Sequence, residues 1–127
     1  MPDQFLSGAI RGTLLLKTVN LKKDMPLVRE ALAQLEREIS MARQQGYVLL
    51  KIIHGYGSHG VGGDIRIAVQ KRLREICDAA DCGAVIFGED WRISDPLTWE
   101  LIRKHPALKR DSDLGRGNRG ITVLVLS

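Results

Sequence analysis

Apolar residues fall along this chain in two rhythms, and each predicts an element. Residues 13–21 (TLLLKTVNL) form a β-compatible run too short for a helix, broken by Lys22-Lys23-Asp24. From Val28, apolar residues recur at Ala31, Leu32, Leu35, Ile39 and Ala42, at offsets of 3, 4, 7, 11 and 14. That spacing draws one stripe down an amphipathic helix. Asp24 is placed to cap it, Pro26 suits its first turn, and Gly46 is placed to end it. Residues 47–53 (YVLLKII) read as a buried strand. A second helix is expected over 64–80, with Ile65, Ala68, Val69, Leu73 and Ile76 on its inner face, and strands follow at 83–88 and 121–126.

The connection between those last strands is long. Asp95-Pro96 is a helix start, and two or three turns fit before Pro106 stops them. Residues 109–120, with Gly115, Gly117 and Gly120, read as a mobile basic loop. The order β-α-β-α-β-(short α)-β predicts one α/β domain. Its right-handed crossover makes the first two strands parallel, with their carboxyl ends at one edge. The glycine-rich stretch 54–63 then opens beside Lys22 and Lys23, and this edge is the expected site.

Composition narrows the class. With 127 residues, 44% apolar and 27% charged, the chain has the make-up of one soluble globular domain. At that size it buries enough surface to need neither metal nor disulfide. No apolar stretch approaches the roughly 18 residues of a membrane span, and MPDQFLSGAIRG lacks the apolar centre of a secretory signal. A cytoplasmic protein with no membrane partner is expected, with residues 1–12 as an N-terminal arm and 13–127 as the domain. Cys77 and Cys82, the only cysteines, read as packing thiols in a reducing compartment. The net charge of +4 is concentrated. Arg103, Lys104, Lys109, Arg110, Arg116 and Arg119 face only Asp111 and Asp113 within 103–119, so this segment alone accounts for the whole excess. Such a local positive field suits an anionic partner such as nucleic acid.

A strand, a glycine loop and a helix in succession are the parts of an anion pocket, where free N–H groups and the positive helix end point at the ligand. Gly55, Gly57 and Gly60 even spell G-x-G-x-x-G. A dinucleotide fold, however, wants that motif after its first strand and an acid about 20 residues on, at the end of the next strand. Asp78 and Asp81 come too early and Glu89 too late. No Gly-Lys-Ser/Thr closes the loop, which excludes a P-loop. Asp64, Glu89 and Asp90 are too scattered for a carboxylate metal site, and no metal or cofactor is expected.

Another pattern covers more of the chain. Ile52-Ile53-His54-Gly55-Tyr56-Gly57-Ser58, followed by glycines and Asp64-Ile65-Arg66, resembles the I-I-H-G-x-G-x-G-x-L-R segment of Smr (small MutS-related) domains. Glu30-Ala31-Leu32 sits where that family has E-A-L, and residues 118–123 (NRGITV) resemble its closing glycine turn and G-x-T-V strand. The resemblance implies a two-layer β-α-β-α-β-β sandwich with a mixed sheet, similar to the carboxyl-terminal domain of translation initiation factor three. The helix and basic loop at about 91–120 would be an insertion. It also implies DNA or RNA as partner and, as in several members, nicking or RNA endonuclease activity. The alternative is a nucleotide-, phosphate- or protein-binding module without nuclease activity.

One departure bears on catalysis. Where the family has L-D-L-H, this chain has Val19-Asn20-Leu21-Lys22. Asn cannot ionise, and Lys is a poor general base near neutral pH. The residues left for metal-independent cleavage are His54 as proton shuttle, with Lys22 or Arg66 stabilising the developing phosphorane charge. The competing reading has His54 fixing the turn through a loop carbonyl and His59 solvated. Expected nucleic-acid contacts are Gly55, Tyr56, Gly57, Ser58, Lys23, Arg66, Arg116 and Arg119. Tyr56 serves either to stack on an unpaired base or to anchor the loop. Trp91 and Trp99 are expected to cover the sheet edge or core.

Overall fold

Strand β1 (Leu14–Asn20) pairs in parallel with β2 (Tyr47–Ile53), Asn20 lying opposite Ile53. β2 in turn pairs antiparallel with the last strand, β4 (Ile121–Val125), whose far side carries β3 (Ala84–Phe87), also antiparallel. The sheet is therefore mixed, in the order β1-β2-β4-β3. Three helices accompany it: α1 (Val28–Gln45), α2 (Val61–Asp78) and α3 (Pro96–Lys104). The computed structural model describes residues 14–24, 26–56, 61–79 and 83–126. The expected arm at 1–12 lies outside the described residues.

The period of two along each strand sends alternate side chains to opposite faces. Leu50 and Ile52 of β2 and Leu124 of β4 pack with Ala31, Leu35, Ile39 and Ala42 of α1 and Ile65, Val69, Leu73 and Ile76 of α2. Those are the stripes the helical spacing predicts. The other face carries Leu49, Ile121, Val123 and Val125, which pack against Trp91, Ile102 of α3 and Leu108. Residues 91–110 thus supply a cover for the second face of the sheet. Full burial of a side chain as large as Trp91 is worth on the order of 3 kcal/mol. Trp99, in contrast, is exposed.

Three local expectations are corrected. Asp24 is not the cap of α1: it lies at φ 64°, and the helix begins after Leu27, whose N–H donates to Glu30 Oε1 at 2.8 Å. Glu30 satisfies from inside the helix a donor that a capping side chain would otherwise leave free. Gly46 does end α1, at φ 87°. Cys77 is disulfide-bonded rather than a free thiol, because oxidation state is not written in packing patterns; Cys82 lies outside the described residues. Finally, residues 109–120 are not a loose loop. Lys109 and Arg110 close a 3₁₀ turn (Pro106–Arg110) that buries Leu108. The rest is tied by Gly115 N–H to the Trp91 carbonyl at 2.8 Å, and by side chains described below.

Candidate functional site

The sheet order brings four chain segments to one edge. β1 and β2 end there, β4 begins there, and β3, antiparallel to β4, also ends there. Lys22 and Lys23 follow β1, His54-Gly55-Tyr56 follow β2, Gly88-Glu89 follow β3, and Arg119-Gly120 precede β4. Most sequence-predicted residues therefore converge as the parallel crossover requires. Gly57 and Ser58, like His59, lie outside the described residues.

Gly120 is the knot of this edge. Its carbonyl accepts both His54 N–H at 2.9 Å and Gly55 N–H at 3.0 Å, while its own N–H donates to Asn118 Oδ1 at 2.8 Å. A Cβ on Gly120 would stand 3.1 Å from Asn118 Oδ1 and 3.4 Å from Gly55 Cα, so a side chain there would press on the Asn118 amide and lie in contact with Gly55. Gly55 itself sits at φ 73°, a conformation glycine adopts without strain. The expectation of free amides is corrected here: the N–H groups of His54 and Gly55 are spent on Gly120 and do not point at solvent.

His54 is fully buried. Its Nδ1 is 2.6 Å from the Gly55 carbonyl, and its Nε2 is 2.8 Å from Thr122 Oγ1, which also accepts from Gln70 Nε2 at 3.2 Å. Removal from water lowers its pKa below the ordinary imidazole value, the Gly55 carbonyl opposes that, the nearby Arg66 charge adds to the lowering, and Glu89 opposes it. The ring is therefore neutral at physiological pH. Arg66 Nε and Glu89 Oε1, which flank this imidazole electrostatically, are buried and make no hydrogen bond among the described residues.

Tyr56, Lys22, Lys23, Arg116 and Arg119 are exposed, and among the described residues no ion pair engages the four cations. Lys22 N–H donates to Asn20 Oδ1 at 3.0 Å, so the asparagine in the departed L-D-L-H position shapes the turn that presents the two lysines. Gly88 lets β3 and the Asn118 turn meet: a Cβ there would fall 1.8 Å from the Asn118 carbonyl oxygen and 2.7 Å from that of Ile121.

Sequence reasoning passed over Thr122, Gln70, Asn118 and Lys51. Lys51 carried a readable signal, a lone charge inside an apolar strand, which must find a carboxylate. Gln70 carried none, since its partner is 52 residues away. Among the described residues, no group of three or more His, Cys, Asp or Glu is arranged to hold a metal ion, and no helix is long and apolar enough to cross a membrane.

Comparison with known proteins adds the following. The family model of the Smr domain matches residues 27–127. The chain is similar in fold to the crystal structure of the Smr domain of Thermus thermophilus MutS2, with a TM-score of 0.54 and 23% sequence identity, covering 87% of this chain and 98% of that one. A search of the curated proteins gives no match.

Proposed function

Since the chain belongs to the Smr domain family, we propose that it binds nucleic acid by gripping phosphates along the sheet edge where β1 and β2 end. Lys22 and Lys23 form one side of the grip and Arg116 and Arg119 the other. Tyr56 stands between them with 56% of its surface exposed, free to stack on an unpaired base. Arg66, one turn into α2, and the backbone of Gly57 and Ser58 complete the contact. The observation that carries this reading is topological. Two cationic segments almost a hundred positions apart, one after β1 and one before β4, flank the His54–Gly55–Gly120 knot at the end of β2.

In this reading His54 holds the loop and moves no proton. Both its nitrogens are engaged inside the protein, and a general acid or base must reach the substrate directly or through one water. Gly55 contributes shape rather than a donor. Lys22 serves as a phosphate contact and not as a base.

The test is a salt series of binding to single- and double-stranded DNA and RNA, with the products inspected for nicks. Phosphate contacts predict a linear fall of log K with log salt, with a slope of about −0.9 per phosphate on duplex DNA and about −0.7 on single strands. Salt-independent binding, together with thermal stabilisation by a mononucleotide, would replace this reading with a nucleotide pocket. Cleavage abolished by His54→Ala at unchanged affinity would restore the nuclease.

A further inference from the structure

Lys51 lies in the middle of β2, three residues before His54, and its ammonium is almost wholly enclosed. Its Nζ is 2.8 Å from Asp111 Oδ1 and 2.7 Å from Asp113 Oδ2. Each aspartate passes the connection on. Asp111 Oδ2 accepts Trp91 Nε1–H at 2.9 Å and Asp113 N–H at 3.2 Å. Asp113 Oδ1 accepts Asn118 Nδ2 at 3.0 Å, and Asn118 Oδ1 accepts Gly120 N–H at 2.8 Å. The Gly120 carbonyl then returns to the N–H groups of His54 and Gly55. The circuit leaves β2 at Lys51 and rejoins the chain at the end of the same strand. Arg116 and Arg119 ride on the arc between its two anchors, at Asp113 and Gly120.

Packing alone does not call for this arrangement. A buried ion pair is often no more stabilising than apolar side chains of the same volume, and its best-attested use is to specify one geometry. Here the neighbours of Lys51 on its face of the sheet are apolar (Leu49, Val123 and Trp91), so an apolar residue would fit the surroundings. It would not select one path for residues 111–120, whose glycines at 115 and 117 lie at φ 77° and 63° in open space. A cation with two carboxylates to satisfy fixes both Asp111 and Asp113, and with them the turn.

We infer that Lys51 is a positioning residue of the nucleic-acid interface, which through Asp111 and Asp113 sets where Arg116 and Arg119 meet the phosphates. The inference rests on the reading in the preceding section and deepens it. Lys51 itself touches no ligand.

The experiment is the salt dependence of binding to a fluorescent nucleic acid, measured for the full chain and for Lys51→Met, Arg116→Ala/Arg119→Ala and the combination of all three. The double arginine variant should flatten the salt slope by about 1–2, the loss of one or two phosphate contacts. Lys51→Met should flatten it by the same amount, and adding it to the arginine variant should change nothing more. Lys51→Arg, whose guanidinium serves two carboxylates, should restore the slope. Lys22→Ala/Lys23→Ala should add to Lys51→Met, because those lysines hang from β1. If Lys51→Met does not fold, Lys51→Met/Asp111→Asn/Asp113→Asn, which leaves no buried charge unpaired, takes its place in every comparison. A lowered melting temperature with an unchanged slope would overturn the inference and leave the interface standing, as would a slope change that adds to that of the arginine variant. A wild-type chain without salt-dependent binding would overturn both.

Discussion

The Nε2 of His54 stands 2.8 Å from the hydroxyl of Thr122, 68 positions away on the neighbouring strand. Which of the two donates follows from the other side of the ring. Nδ1 faces the Gly55 carbonyl, which can only accept, so Nδ1 carries the proton. The neutral ring then offers a lone pair at Nε2, and Thr122 donates to it while accepting from Gln70. Each group in this network has one partner per role, and a protonated imidazole would turn Nε2 into a donor, so that the Thr122 hydroxyl would have to rotate its own hydrogen away from the ring.

Thr122→Val therefore keeps the volume but strands the Nε2 lone pair in the core. A loss of about 1–3 kcal/mol is expected, the usual cost of an unsatisfied buried group. Urea denaturation at pH 7.5 checks it. A variant as stable as wild type would mean the hydroxyl is not the partner.

The lowered pKa of His54 makes stability depend on pH in a stated direction. In the unfolded chain the ring protonates near its ordinary value of about 6.5, and in the folded protein only below that. Between the two values the unfolded state binds more protons, so stability is full above about 6.5 and falls as the medium becomes more acid. The slope is at most one proton, about 1.4 kcal/mol per pH unit. His54→Asn removes it. Denaturation curves from pH 7.5 to 5 for both proteins should diverge in this sense, and parallel curves would refute it.

Asp113 loses stability in a lower range. The Lys51 hydrogen bond, opposed by burial and aided by Asn118, holds its carboxyl below the usual value. The same bonds act on Lys51: burial pulls its ammonium down, but Asp111 and Asp113 outweigh burial and hold it above the ordinary lysine range. The contribution of Asp113 is present above about pH 3.9 and is lost as pH falls through its folded value. That of Lys51 is present below about pH 10.4 and is lost as pH rises through its own. Lys51→Met/Asp111→Asn/Asp113→Asn should flatten the stability profile at both extremes and leave its neutral middle unchanged in shape.

Gly88→Ala tests how β3 meets the turn before β4. The added methyl would overlap two backbone carbonyl oxygens, at 1.8 and 2.7 Å, and neither can rotate away. A loss of about 3 kcal/mol is expected, at the upper end for overpacking. Because the turn bears Arg119 and Asn118, binding should weaken with it. Melting and binding curves on the same sample read both effects.

Tyr56→Ala separates stacking from charge. If the ring stacks on an unpaired base, affinity for single strands should drop by about 1–3 kcal/mol while the salt slope stays as it was. Equal losses on single- and double-stranded ligands would give the ring a different role.

Much of the fold is local information. The stripes of α1 and α2, the αL exit at Gly46 and the Asp95 cap of α3 each depend on residues within a few positions, and periodicity reports such dependence. The site edge was legible for a related reason, since a right-handed crossover between two strands fixes where their ends lie. The start of α1 differs from the expectation because the cap residue is Leu27, which has no capping side chain, and Glu30 three residues on bonds back to its N–H instead.

What the chain order alone decided is which segments are strands and helices, and that the loop after β2 opens beside the end of β1. What only the tertiary structure decided is how the chemistry of that edge is spent. His54, the Gly55 amide, Lys51, Asp111 and Asp113 look in sequence like available groups, yet each is satisfied by a partner between 60 and 68 positions away or by a neighbour that such a partner holds in place. A buried polar group must be paired, but nothing in its own neighbourhood along the chain says with whom.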